Sequence, residues 1–503
     1  MGKRAGSVSQ STEDEIMFKT WRFSARLAIA ACVFVLYLVN TLSCVNQNAP
    51  SGNLNSNQAG GQTANAQPRP TMPPLPQGFP TPQISGNIPV TVPLPDTVKT
   101  PDEARPFFDY FSWESFIALN WPAVPGSRGV ANEPNNPNTF YNGVNGGAVV
   151  WGTYKESFEL FGQRDQRPTP WASYDVPISP CKDTNVPPGQ KVFILLSKGD
   201  TTLDQINQAF SYPLIDQQKN YVSYEVRYNE AQYNFVRGKD EDNTSWLYLV
   251  KNLSPKEPVQ MPVSTPPGTV GAMMLKAAWR VKTDKDDVNR YYKVDAQVLD
   301  QTTGKCNPQT MLLVGFHIAQ KLQNFPEWVW STFEQVDNVP ADATPKPPPG
   351  GYSFNNGTST PFTVNGYANR PPNPAPSVQP PDQRVPVQVV RLNPIPDTPK
   401  GASTRDVNAI YQSLLKGTIW QYYQLVATQW PSAPQTFTPM ESGGVYPKDS
   451  GGAFPAGGVT NTTMETYLQA QADAAGAGGN SCMSCHYRAG KADFSWGLLR
   501  RAH

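Results

Sequence analysis

Val222-Ser223-Tyr224-Glu225-Val226-Arg227-Tyr228-Asn229 alternates apolar or aromatic residues with polar ones. Side chains two apart share one face of an extended chain, so the run predicts a half-buried strand. The same period recurs in Met273, Leu275, Ala277, Trp279 and Val281, and again in Tyr292, Val294, Ala296 and Val298. Further strand-like runs are Ala148–Trp151, Val192–Leu196, Trp246–Val250, Met311–Ile318 and Val385–Leu392. Several strands joined by long Pro-rich connections predict an antiparallel sheet or a sandwich. The 12 Trp and 21 Tyr predict an aromatic core, and the 52 Pro many short elements and loops.

Helical spacing interrupts this pattern in three places. Phe107, Phe108, Phe111, Ser115 and Leu119 recur every three or four residues within 101–120, and Pro122 stops the run. Ser403 or Thr404 can cap a second helix, with Ile410, Leu414, Ile419, Tyr422 and Val426 as its apolar face up to Pro431. A third run, Thr462–Ala474, leads towards the C-terminus. The expected fold class is α+β: a β-rich main domain over 101–400, with a helical region over 401–503 packed on it. The Pro/Gly/Asn-rich stretch 339–382 reads as a surface loop of the main domain. There is no internal repeat and no phosphate-binding glycine loop.

The N-terminus points to export. Leu27–Val39 is an apolar run of signal-peptide length preceded by Lys19, Arg22 and Arg26. It is shorter than the roughly 20 apolar residues of a good membrane span. The acidic cluster Glu13, Asp14, Glu15 is foreign to such leaders, which makes Met17 the better start. Thr41-Leu42-Ser43-Cys44 is similar to a lipobox, apart from Thr41 where Leu is usual. A leader over 1–44 is therefore expected, with Cys44 as the candidate lipid anchor and a plain signal peptide or an uncleaved anchor as the alternatives. Residues 45–100, rich in Asn, Gln, Gly and Pro, lack the apolar density to fold and read as a tether. Net charge is +1 with no basic run, so nucleic acid is not an expected partner.

Chemistry concentrates near the other end, in Cys482-Met483-Ser484-Cys485-His486. Cys-x-x-Cys-His lets two thiols form thioethers with haem vinyl groups and sets the adjoining His beneath the iron. The expected cofactor is one haem c, with Cys482 and Cys485 as covalent attachment points and His486 as proximal ligand. A thioredoxin-like dithiol would follow a strand, and no strand pattern precedes Cys482. A zinc site would want a fourth ligand and usually a second Cys pair, which the chain lacks. The six cysteines then sort themselves: Cys32 in the leader, Cys44 for lipid, Cys482 and Cys485 for haem, leaving Cys181 and Cys306 as a candidate disulfide. A loop of that length stabilises by up to roughly 5 kcal/mol in the chain-entropy model. The alternative is two unpaired buried thiols.

The sixth iron position has few claimants. Only three His exist, and no Met follows His486. His503 stands at the chain end. His317, in the apolar run Met311–Ile318, is the candidate sixth ligand; on a strand it shares a face with Leu313, Gly315 and Ala319. The competing reading makes it a core histidine bonded to Glu327, Glu334 or Asp337. Met440 and Met464 are the alternative ligands, although most Met residues fill cores. In the tail after the motif, Phe494, Trp496, Leu498 and Leu499 serve either to cover haem or to dock the terminus.

The motif, together with Trp113–Pro122 (WESFIALNWP), Leu313–Lys321 (LVGFHIAQK) and Trp328–Asn338 (WVWSTFEQVDN), resembles large bacterial proteins of the cytochrome c family. The resemblance covers most of 100–500 and implies haem at Cys482, Cys485 and His486, with no substrate. The expected function is electron transfer by a secreted or membrane-tethered monohaem c-type cytochrome of the bacterial cell envelope, periplasmic or lipid-anchored at the outer membrane. Its partner would be a redox protein. The alternatives are a haem-dependent peroxidase or oxidase, with a small-molecule substrate on the β-rich domain, and a haem-based sensor.

Overall fold

The described strands of one sheet are β1 (Lys155–Glu156), β2 (Lys191–Phe193), β3 (Ser223–Tyr228), β4 (Met273–Val281), β5 (Lys293–Leu299), β6 (Cys306–Leu322), β7 (Phe325–Gln335), β8 (Tyr423–Pro431) and β9 (Ala453–Phe454). The three period-two runs become β3, β4 and β5, and Met311–Ile318 becomes part of β6. The computed structural model describes residues 79–143, 147–161, 167–173, 191–193, 206–208, 212–238, 258–299, 305–341, 346–358, 380–432, 452–469 and 481–501. All of them lie within one unit, 68–503. The leader, Cys44, most of the tether, Cys181, the run Trp246–Val250, Met440 and His503 lie outside the described residues. The nine strands run in the order β1-β3-β4-β6-β7-β8-β9, with β5 on β6 and β2 on β5. Every pair is antiparallel except β2 with β5. The fold is α+β with a β-rich body. Two of its strands, β8 and β9, come from the stretch after residue 401 that was expected to be helical.

One sheet face is covered by helices. Pro101–Leu119 begins with a capping box between Thr100 and Glu103 and with Pro at its first turn, which suits Pro's fixed φ and missing N–H. It lays Trp113 and Phe116 on Phe333 of β7, and Trp113 stacks on Tyr411 at 5.2 Å and 7°. Tyr411 belongs to the helix Thr404–Leu414, capped by Ser403. That helix ends at Leu414, rather than running to Pro431 as the spacing suggested. Gly417 turns the chain at φ +90, a short 3-10 turn Ile419–Tyr422 follows, and β8 then enters the sheet. Of the expected apolar face, Ile410, Leu414 and Ile419 do reach the helix-side core, but Tyr422 and Val426 do not, and Tyr423 and Leu425 of β8 enter it instead.

The other face carries the C-terminal chain. Residues 461–466 form a strap across β6 and β7. Asn461 donates to Thr332 Oγ1 and Phe333 O, both at 2.9 Å, and Tyr224 OH of β3 donates to Thr463 O at 2.7 Å. The helix expected over Thr462–Ala474 is, in its described part, a turn and a short 3-10 segment, Thr466–Leu468. Its Asn and Thr side chains bond nearby backbone and so compete with a helical ladder. Two other expected strands are not strands: Val149 makes a single bridge to Pro122, and Val385–Leu392 runs extended, bonding Ile215 O and Phe354 O. The Pro-rich loop after β7 is pinned by Phe354, which is fully buried.

The strap needs a bare backbone beneath it, and Gly315 of β6 provides it. A Cβ there would lie 2.2 Å from Thr463 Oγ1 and 3.3 Å from Met464 Cε. Gly315→Ala is expected to cost about 1–3 kcal/mol, the usual range for overpacking a closed core. A lower urea midpoint would report this, and an unchanged midpoint would mean that the strap lifts freely.

Candidate haem site

Cys482–His486 forms one short helix turn whose N-cap, Ser481, accepts from Ser484 N while Ser484 Oγ receives Ser481 N. Residues three and four apart share a helix face, so Cys482, Cys485 and His486 lie together and Met483 points elsewhere. Met483 is fully buried among Trp328, Trp330, Tyr487, Phe494 and Leu498, and its N–H donates to Gln429 Oε1 of β8 at 2.8 Å. The one apolar residue between the cysteines thus pins the turn to the sheet and leaves both thiols and the imidazole half-buried. Phe494 and Leu498 prove to be buried docking residues of the tail.

His486 is set up as a neutral imidazole of defined tautomer. Its Nδ1 lies 2.8 Å from Phe494 O. A carbonyl only accepts, so Nδ1 carries the proton and Nε2 keeps its lone pair. Burial, with His317 and Lys276 adding to it, lowers its pKa to about 4 against the pull of that carbonyl. A metal-bound histidine normally gives its second N–H to a carbonyl or carboxylate in this way. The ring also packs on Trp330 of β7, centroids 4.4 Å apart at 44°.

Both thiols are free. Burial pushes Cys485 up to about 11, with the Glu465 carboxylate adding to the rise; the same two causes push Cys482 higher still. A dithiol oxidoreductase needs the opposite, a thiol lowered towards neutrality. Among the described residues no three His, Cys, Asp or Glu side chains converge as metal ligands. A haem brings four ring nitrogens of its own and asks the chain for two thiols and one or two axial ligands. The donor set here fits that demand.

A polar cluster on the sheet adjoins the motif. Lys276 of β4 and His317 of β6 are cross-strand partners, and Glu465 of the strap lies 3.4 Å from His317 Nε2, in ion-pair range but without hydrogen-bond geometry. Burial would raise Glu465, yet His317 and Lys276 hold it down at about 2. Burial lowers Lys276, partly offset by Glu465 and the two thiols. The fields of Lys276 and Glu465 reach Cys482, Cys485 and His486, and that of His317 reaches His486.

His317 therefore faces the motif's side of the sheet, as Ala319 does in packing with Trp328 and Phe494. Leu313 does not share that face: the register shift opposite Ala278/Trp279 sends it into the helix-side core with Phe316. The carboxylate beside His317 is Glu465, whereas Glu334 pairs with Arg391 and Asp337 with Arg290. Met464 is a buried core residue packed with Leu312 and Val314. Cys306 is disulfide-bonded; its expected partner Cys181 lies outside the described residues. Lys276, Glu465 and Trp330 had no local signal, since only sheet register and the strap bring them to the motif. Compared with known protein families, curated proteins and solved structures, the chain matches none.

Proposed function

We propose that the chain is a monohaem c-type cytochrome that transfers electrons, exported to the bacterial cell envelope. The observation that carries this is His486: a neutral ring, its Nδ1 proton committed to Phe494 O, its Nε2 left with a lone pair beside two unpaired thiols. Bound there, haem would supply a one-electron iron couple. Cys482 and Cys485 would hold it covalently, His486 would ligate it, and Trp330 would keep the His486 ring in place. No described helix is long and apolar enough to cross a membrane. Attachment to the membrane through lipid on Cys44 is part of the proposal, and the mass of the mature N-terminal peptide tests it; an unmodified terminus downstream of Cys44 would leave secretion alone.

A second reading, an envelope peroxidase or oxidase, draws support from the Lys276–His317–Glu465 cluster, because half-buried ionisable groups beside a cofactor suit proton transfer or anion binding. Protein made with a haem c maturation system decides between them. Six-coordinate, low-spin iron inert to peroxide favours electron transfer; open iron with turnover favours an enzyme, and ligand-induced spectral change without turnover favours a sensor. If the iron is six-coordinate through His317, His317→Ala turns it high-spin, and an unchanged spectrum removes His317 as ligand. Absence of any pigment from the matured protein would refute the cytochrome reading altogether.

A further inference from the structure

Two consecutive non-glycine residues after the motif, Asp493 and Phe494, sit in the left-handed region at φ 51 and 65. Trp328 of β7 does the same at φ 72. L-residues adopt this conformation rarely, and such positions persist where surrounding contacts over-determine them. All three meet at the same spot. The Asp493 carboxylate is buried and accepts from Lys321 Nζ of β6, from Met261 N at 2.6 Å and from Trp328 Nε1 at 3.2 Å. Lys321 is buried as well. Backbone bonds close the turn, Asp493 N to Gly490 O at 2.9 Å and Phe494 N to Ala489 O at 3.1 Å. The product of this turn is the Phe494 carbonyl, aimed at His486 Nδ1.

We propose that Asp493, clamped by Lys321, Trp328 and Met261, is a positioning residue that holds the Phe494 carbonyl on His486 and thereby fixes the tautomer and donor strength of the imidazole. The proposal rests on His486 being the proximal ligand of a covalent haem. The clamp reaches the haem only through His486. A buried ion pair is a costly way to hold a surface tail, since burying Lys and Asp forfeits their hydration. It is an effective way to hold one carbonyl to within hydrogen-bond tolerance of a ring nitrogen, as a precise ligand site requires. A histidine that gives its Nδ1 proton to a carbonyl becomes a stronger donor at Nε2, which favours ferric over ferrous iron. The clamp therefore lowers the reduction potential.

The test is the graded series parent, Asp493→Asn and Asp493→Ala. Asn keeps an acceptor and tolerates the left-handed turn, whereas Ala keeps neither. In full-length protein made without haem maturation, ¹⁵N spectra of the His rings, with His486→Gln assigning the peak, are expected to show His486 protonated on Nδ1 in the parent. That signal should shift partly to Nε2–H in Asp493→Asn and largely in Asp493→Ala. In matured protein the midpoint potential should rise in the same order. A merely structural Asp493 would lower the unfolding midpoint and move neither readout. An unchanged tautomer and potential in Asp493→Ala overturn the proposal. If that variant does not accumulate, an unchanged tautomer and potential in Asp493→Asn overturn it equally. A parent that takes up no haem but shows the tautomer series would refute the haem reading while leaving the clamp intact.

Discussion

Replacing Cys482 and Cys485 together with alanine is expected to abolish covalent pigment. Each attachment would add a thiol across a haem vinyl: a C–S bond would form, the S–H bond would break, and the proton would go to the neighbouring vinyl carbon. Both thiols are unpaired, and burial favours their protonated form, so each would bring the proton that such an addition delivers. They stand three apart on a turn that Met483 and Gln429 fix to the sheet. The single variants should retain one thioether and show a red-shifted pyridine haemochrome, because one vinyl stays unsaturated. The double variant should surrender all its haem to acid acetone. The fold should survive, since both thiols are only half-buried and alanine keeps the helix turn. Pigment that still resists extraction from the double variant would place the attachment elsewhere.

The second large effect is on stability. Glu334 of β7 is fully buried and Arg391 nearly so, and they form an ion pair. Glu334 also accepts from Thr462 N, the start of the strap that carries Glu465. Arg391→Ala leaves a carboxylate in the protein interior without its cation, which typically costs about 3–5 kcal/mol. The urea midpoint should fall with little change in slope, and amide exchange should quicken over 461–466. Removing both partners, as in Glu334→Gln with Arg391→Met, should recover much of the loss, because no charge is then stranded. A midpoint equal to the parent's in Arg391→Ala would mean that water already reaches Glu334.

Much of the sheet was legible because alternate apolar residues of its strands enter the helix-side core, although the covered opposite face leaves β3, β7 and β8 buried on both sides rather than half-buried. Met273, Leu275, Ala277, Trp279 and Val281 all enter the helix-side core, as their spacing requires. The pattern failed where local rules meet tertiary ones. Ile410 to Val426 read as one helix because a short helix and a strand share a core, and only Gly417 marks the break. Leu313 left His317's face through a register shift that no sequence period announces. Within the site, the shared helix face of Cys482, Cys485 and His486 was written locally, in their spacing. The company they keep was not. Lys276 arrives by cross-strand register, Glu465 by a strap, and Lys321 by pairing with an aspartate far along the chain. Such meetings depend on where the chain returns, and a period carries no record of that.

The most direct measurement is peptide mass spectrometry of the protein matured with a haem c system and alkylated after reduction. The tryptic peptide ending at Arg488 contains both Cys482 and Cys485. It is expected to carry one haem and no alkyl group. Recovery of that peptide with both cysteines alkylated and no haem would contradict the account.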